Sequence, residues 1–209
     1  MLFNSVHFLV FFPIVVLIYY LIPQRGKYLW LLAASYYFYM SWNPRYALLI
    51  LVSTVATWGS ALILAACGQR PDRKSQKRKR WSLAGCILLN LGILFFFKYY
   101  VFAADSIGKL CGFLGISIQM PFFDVLLPVG ISFYTFQALG YLFDVHRGEI
   151  PAERNFLRYA LFISFFPQLV AGPIERSRNL MHQLYEPHKF DFRRVKDGLL
   201  LMGWFFFRS

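Results

Sequence analysis

The stretch ALLILVSTVATWGSALILAAC runs from Ala47 to Cys67 without a charged side chain. At 1.5 Å per residue a helix of this length crosses a ~30 Å hydrocarbon core. A helix is required there because lipid offers no partner for a free backbone N–H or C=O. The apolar residues come as a block and do not alternate, so the pattern is not that of a half-buried strand. Working outward, Trp81–Phe97 also lacks charge, and Met1–Ile22 is nearly all apolar, with Asn4 and His7 as its strongly polar side chains. The expected fold is an all-α polytopic membrane protein forming a single membrane domain over residues 1–209.

The bulk numbers agree. The chain is 58% hydrophobic and only 15% charged, where a soluble domain carries about a quarter charged residues. The first block is expected to be a retained helix and not a cleavable leader, since no Lys or Arg precedes Arg25 and it ends in LIPQRGK, not in a small-residue cleavage site. A net charge of +12 would suggest nucleic acid in a soluble protein. Here the Lys and Arg lie between apolar blocks, which is how membrane proteins encode orientation, so no nucleic-acid partner is expected. Cys67, Cys86 and Cys111 are scattered and lack metal-ligand spacing.

The densest basic run, QRPDRKSQKRKR (Gln69–Arg80), lies in a connection taken as residues 68–81. Short basic loops stay in the cytoplasm and touch anionic head groups. With that loop inside, Ala47–Ala66 runs inward and Leu83–Val101 outward. Tyr28–Trp42 then runs outward, Arg25 and Lys27 are inside, and Val6–Ile22 begins outside. The connection from Trp42 to Arg45 falls outside, with Trp42 and Tyr46 at the interface.

After Val101 the pattern loosens. Asp105–Met120 reads as an outer loop or interfacial helix. Phe122–Phe143 is apolar but contains Pro128, Gly130, Gln137 and Gly140, and Asp144–Gly148 follows on the inner side. Leu157–Ala171 is short for a span and holds Pro167 and Gln168. Gly198–Phe207 is shorter still, so the chain is expected to be interrupted there in mid-helix, as a fragment or truncated product. In all, six or seven hydrophobic segments are expected.

Polar groups at membrane depth are costly and face the protein interior or a water-filled cavity. Gln137, Asp144, Gln168, Gly172, Pro173, Glu175 and Arg176 all fall in one interval with two interrupted segments. Gly172-Pro173 ends a helix and frees carbonyls. Glu175 and Arg176 then either line a polar mouth at the cytoplasmic side or are solvated loop charges, and physics alone rates the two equally. No phosphate-binding loop, zinc-helix motif, paired-cysteine motif or nucleophile elbow occurs.

Two stretches resemble a known family. LLPVGISFYTFQALGYLFDVHRG (Leu126–Gly148) and FISFFPQLVAGPIERSRNLMHQL (Phe162–Leu184) are similar to signature stretches of the membrane-bound O-acyltransferases. The likeness is to the bacterial branch of alginate O-acetylation and teichoic-acid D-alanyl transfer. MLFNSVHFLVFFPIVVLIYYLIP (1–23) and LLAASYYFYMSWNP (31–44) resemble that branch's N-terminus too. The resemblance implies the N-terminal part of a multi-helix enzyme around a tunnel, in the bacterial cytoplasmic membrane. It implies no bound cofactor, but an acyl donor (acyl-CoA or an acyl-carrier thioester) entering from the cytoplasm. It implies transfer, of acetyl above all, to a hydroxyl of an envelope polysaccharide, with a carrier or an envelope-side acyltransferase as partner.

In that family the catalytic histidine lies in the later half of a protein more than twice this size. A histidine suits the task because it takes and returns a proton near neutral pH. None of His7, His146, His182 and His188 replaces it, so this chain alone is expected to lack the chemistry. Arg176 is then positioned to hold an anionic or carbonyl group of the donor with its planar fork, with Glu175 orienting it. Gln137 and Gln168 satisfy broken backbone or line the tunnel. The competing readings are a transporter-like subunit, whose broken helices would look alike, and a non-catalytic scaffold.

Overall fold

The computed structural model describes residues 5–41, 43–68, 72–113, 130–171, 177–186 and 190–208. Among them every regular element is a helix: α1 (Val6–Leu21), α2 (Gln24–Met40), α3 (Pro44–Gly68), α4 (Arg73–Phe113), α5 (Ile131–Arg147), α6 (Phe156–Ser164), α7 (Phe166–Ala171), α8 (Ser177–Tyr185) and α9 (Phe192–Arg208). The all-α expectation therefore holds. Two stretches, Pro44–Gly68 and Arg73–Tyr100 within α4, are long and apolar enough to cross a membrane, and α1 is a shorter apolar helix.

Local chemistry sets several boundaries. Ser5 starts α1, its Oγ accepting the Phe8 N–H at 3.3 Å, as N-cap serines do. Asn43 Oδ1 accepts the Arg45 N–H at 3.0 Å beside Pro44, the first residue of α3, where a proline's missing N–H costs nothing. α5 ends at Gly148, whose φ of 78° lies in the left-handed region that glycine enters freely. Asn155 opens α6 by accepting from the N–H groups of Leu157 and Arg158.

Two expectations need correction, and one pair of alternatives is narrowed. The basic run, read as a loop over residues 68–81, is helical from Arg73 onward. Lys, Arg and Gln are good helix formers, and Ser75 Oγ ties the first turn back to the Cys67 carbonyl at 3.0 Å. Of the two readings of Asp105–Met120, outer loop or interfacial helix, the described residues up to Phe113 are helical. The apolar Gly198–Phe207 is the later part of a 17-residue helix that begins at Phe192 and carries polar residues in its first half.

α3 is the hub. It packs against α2, α4, α5 and α6, while α1 and α7 pack on α2, and α8 on α5 and α6. Uncharged polar groups are buried within this hub. Ser53 Oγ donates to Asn90 Oδ1, Asn90 Nδ2 donates to the Cys86 carbonyl at 2.9 Å, and Thr57 Oγ1 donates to the Ser53 carbonyl at 2.6 Å. Ser53 with Thr57, and Cys86 with Asn90, are each one helical turn apart, so the bonds line one α3–α4 seam. Such groups have no water to fall back on at membrane depth, and each bond contributes modestly, about 0.6 kcal/mol on average.

A second, aromatic core joins α1, α2 and α7 around Phe8, Phe38 and Phe166. Phe166 lies with its ring centre 5.5 Å from those of Phe11 and Phe38.

Candidate functional site

The site is a helix break and the side chains that repair it. Pro167 has no N–H for the Ile163 carbonyl, and its ring would clash with that carbonyl in a continuous helix. The chain leaves helical geometry at Phe165, with φ −58° and ψ 105°, and resumes as α7. Leu157–Ala171, read from sequence as one segment, is thus two helices, α6 and α7.

Of the backbone groups that the broken ladder frees, one acceptor and one donor are met from other helices. The Phe162 carbonyl would normally take the Phe166 N–H four residues on. Instead Gln137 Nε2, from α5, donates to it at 2.9 Å. The Phe166 N–H turns to Ser35 Oγ of α2 at 3.3 Å. All four residues are buried, where an unmet backbone group costs about 1–3 kcal/mol. Gln137 Nε2 also lies 3.4 Å from Gln168 Oε1, one turn into α7.

Asp144 lies seven residues after Gln137 on the same helix, hence on the same face. Its Oδ2 accepts the hydroxyl hydrogen of Ser177, the first residue of α8. Residues 168 and 177 are therefore both tied to one face of α5, about 10 Å apart along its axis. Gly172, Pro173, Glu175 and Arg176 lie outside the described residues, between these two anchors.

The structure thus brings Gln137 and Gln168 together and sets Asp144 as a second anchor. It adds three residues that sequence reasoning missed. Ser35 sits in a run of tyrosines, and nothing in that run signals a partner far along the chain. Tyr141 Oη accepts the Glu153 N–H at 2.8 Å, and Trp58 Nε1 donates to the Glu153 carbonyl at 2.9 Å. Together they clamp the connection from α5 to α6.

The histidines stand apart. His7 lines an apolar groove of about 700 Å³ between α1 and α2. His182 is exposed and lies 3.3 Å from the Glu186 carboxylate. His188 lies outside the described residues.

His146 is in the last turn of α5, its Nδ1 buried without a hydrogen-bond partner among the described residues. Burial, then the charges of Lys79 and Arg147, hold its imidazole below the ordinary pKa of 6.5. The folded chain therefore takes up this proton at lower pH than the unfolded chain. Stability is undiminished above pH 6.5, falls as the pH drops through that value, and levels off once the folded form is protonated as well. Thermal unfolding at about pH 7.5 and about pH 5.5 should show a midpoint that drops with acid, and a smaller drop for His146→Gln.

Known proteins of similar sequence are envelope-polymer acyltransferases by name. A probable alginate O-acetylase of Pseudomonas syringae pv. tomato is 41% identical over 186 residues, covering 88% of this chain and 34% of that protein. The probable alginate O-acetylase of Azotobacter vinelandii is 38% identical over 195 residues, covering 91% of this chain and 38% of that protein. A peptidoglycan O-acetyltransferase of Helicobacter pylori is 28% identical, covering 97% of this chain and 42% of that protein. The chain spans about a third of the length of the curated relatives it matches first. No family model matches the chain, and no solved structure matches it.

Proposed function

The chain is homologous to the bacterial membrane-bound O-acyltransferases of the alginate O-acetylation and D-alanyl transfer branch, and from that premise we propose that it forms part of an enzyme moving an acyl group onto a hydroxyl of an envelope polymer. The homology, running over about nine-tenths of the chain, carries the reaction class. Acetyl is the favoured group, because relatives at 38% and 41% identity are named as probable alginate O-acetylases. The donor is an acyl thioester, acyl-CoA or an acylated carrier, reaching the protein from the cytoplasm. The acceptor lies on the envelope side, and a further envelope-side acyltransferase is a natural partner.

In this reading α3 and α4 cross the cytoplasmic membrane with the basic start of α4 inside, and further spans place the N-terminus outside. The helices surround part of a tunnel, and no catalytic residue is assigned to this chain. The segment from Gly172 to Arg176 serves the donor at the inner mouth. What supports this is its bracketing in sequence: Gln168 and Ser177, on either side of it, are both anchored to one face of α5. Arg176 supplies a planar pair of donors for a carbonyl or phosphate, and Glu175 orients it. The transporter and scaffold readings gain nothing from the relatives' names.

The test is Arg176→Ala in the enzyme that carries this chain, with acyl transfer measured in membranes. Losing a charge-assisted contact of about 1.5–3 kcal/mol lowers transfer about 10- to 150-fold, with membrane accumulation unchanged. An unaltered transfer rate would remove Arg176 from the site. An enzyme with no acyl transfer from any thioester donor to any hydroxyl acceptor would overturn the reaction class itself.

A further inference from the structure

One outward face of α4 carries, in order, the chemical zones of a phospholipid. At about 100° per residue, Arg73, Lys74, Lys77, Arg78 and Arg80 fall within an arc of about 160°, and all five are exposed. None of them forms an ion pair among the described residues. Trp81 falls inside the same arc and is 76% exposed. Leu88, 72% exposed, and Phe95, 64% exposed, continue down it.

The opposite face belongs to the protein. Ser75 Oγ reaches the Cys67 carbonyl, Lys79 Nζ reaches the His146 carbonyl at 3.3 Å, and Cys86 and Asn90 are buried in the α3 seam. The rotation of α4 is therefore fixed, and its cationic and apolar stripe is held outward as one surface. Because the helix runs unbroken from Arg73 through Phe95, the cations sit directly above the apolar part. An indole at that junction settles at the headgroup level.

We propose that this face binds an anionic phospholipid. Lys74, Lys77 and Arg78 hold the headgroup phosphate. The Trp81 indole packs on the glycerol region, and an acyl chain lies along Leu88, about 10 Å further down the helix. A free phosphate would use the cations alone, whereas Trp81 and Leu88 supply the apolar continuation that only a lipid fills. The proposal rests on α4 crossing the bilayer and is independent of acyl transfer.

The test uses the purified chain in zwitterionic detergent micelles at fixed ionic strength. It is titrated with brominated phosphatidylglycerol or brominated phosphatidylcholine, and tryptophan quenching is read as the difference between the native chain and Trp81→Phe. Half-quenching should need about tenfold less phosphatidylglycerol than phosphatidylcholine, through the attraction of clustered cations to an anionic headgroup. The triple variant K74Q/K77Q/R78Q, altered only at exposed positions, should retain its helical circular dichroism and lose the preference to within about twofold. Equal quenching by the two lipids, or a preference that survives in the triple variant, would overturn the proposal. Displacement of phosphatidylglycerol by excess inorganic phosphate would also overturn it, by showing a site for phosphate without its lipid.

Discussion

Replacing Phe166 by alanine is expected to destabilise the α1–α2–α7 unit by about 2–3 kcal/mol. The ring is 1% exposed and sits among Phe8, Phe11 and Phe38. In a bilayer the unfolded reference still keeps Phe166 in an apolar medium, so little transfer energy is lost. What remains is the void: about 24 cal/mol per Å³ over roughly 100 Å³ gives about 2.4 kcal/mol. Loss of helical signal against rising denaturing detergent measures it. Phe166→Leu, which refills most of the space, should recover most of the loss. A Phe166→Ala variant as stable as the native chain would show that the ring cluster does not hold α7 in place.

The second large effect is expected at Gln137. Gln137→Leu keeps the approximate volume but removes the donor that meets the Phe162 carbonyl. That carbonyl is left buried and unpaired at a cost of about 1–3 kcal/mol. Because the α6–α7 break already lacks the bond that Pro167 cannot make, the cost falls locally. Amide exchange from Phe165 to Ala171 should accelerate about 5- to 150-fold while exchange in α3 stays unchanged. A Gln137→Glu variant separates the two ends of the contact. Burial keeps that carboxyl protonated, and its O–H can donate to the carbonyl, so Glu should recover part of what Leu loses. Uniform acceleration throughout the chain would mean that Gln137 supports global stability and has no particular role at the break.

The Ala47–Cys67 block made the helical class legible, since an uncharged run of that length has few other solutions. Pro167 announced a break, and Gln137 and Gln168 were legible as polar groups needing a reason to be there. Their partner was not legible. Which carbonyl Gln137 meets depends on how α5 crosses α6, and nothing in either segment encodes that crossing alone. Ser35 was hidden for the same reason, its contact with Phe166 spanning 131 positions.

The seam of Ser53, Thr57, Cys86 and Asn90 did leave a trace, two pairs of small polar residues at a four-residue spacing, but charge-based reading passes over it. The basic run failed in the opposite direction. Charge alone marks it as a loop, but Lys, Arg and Gln favour helix and α4 begins inside the run.

The length of α4 has a mechanical consequence. Its 41 residues make a rod about 61 Å long. Even inclined by about 40°, the steepest usual tilt, it spans roughly 47 Å along the membrane normal, well beyond the ~30 Å of hydrocarbon. Once it crosses, α4 must stand proud of the bilayer, and no thinning or thickening of the membrane can shorten it. Such a change can only alter its lean. The Asn90 seam and the Lys79 contact fasten that lean to α3 and to the end of α5, the helix that carries Gln137 and Asp144. Bilayer thickness thereby gains mechanical leverage on the geometry of the helix break.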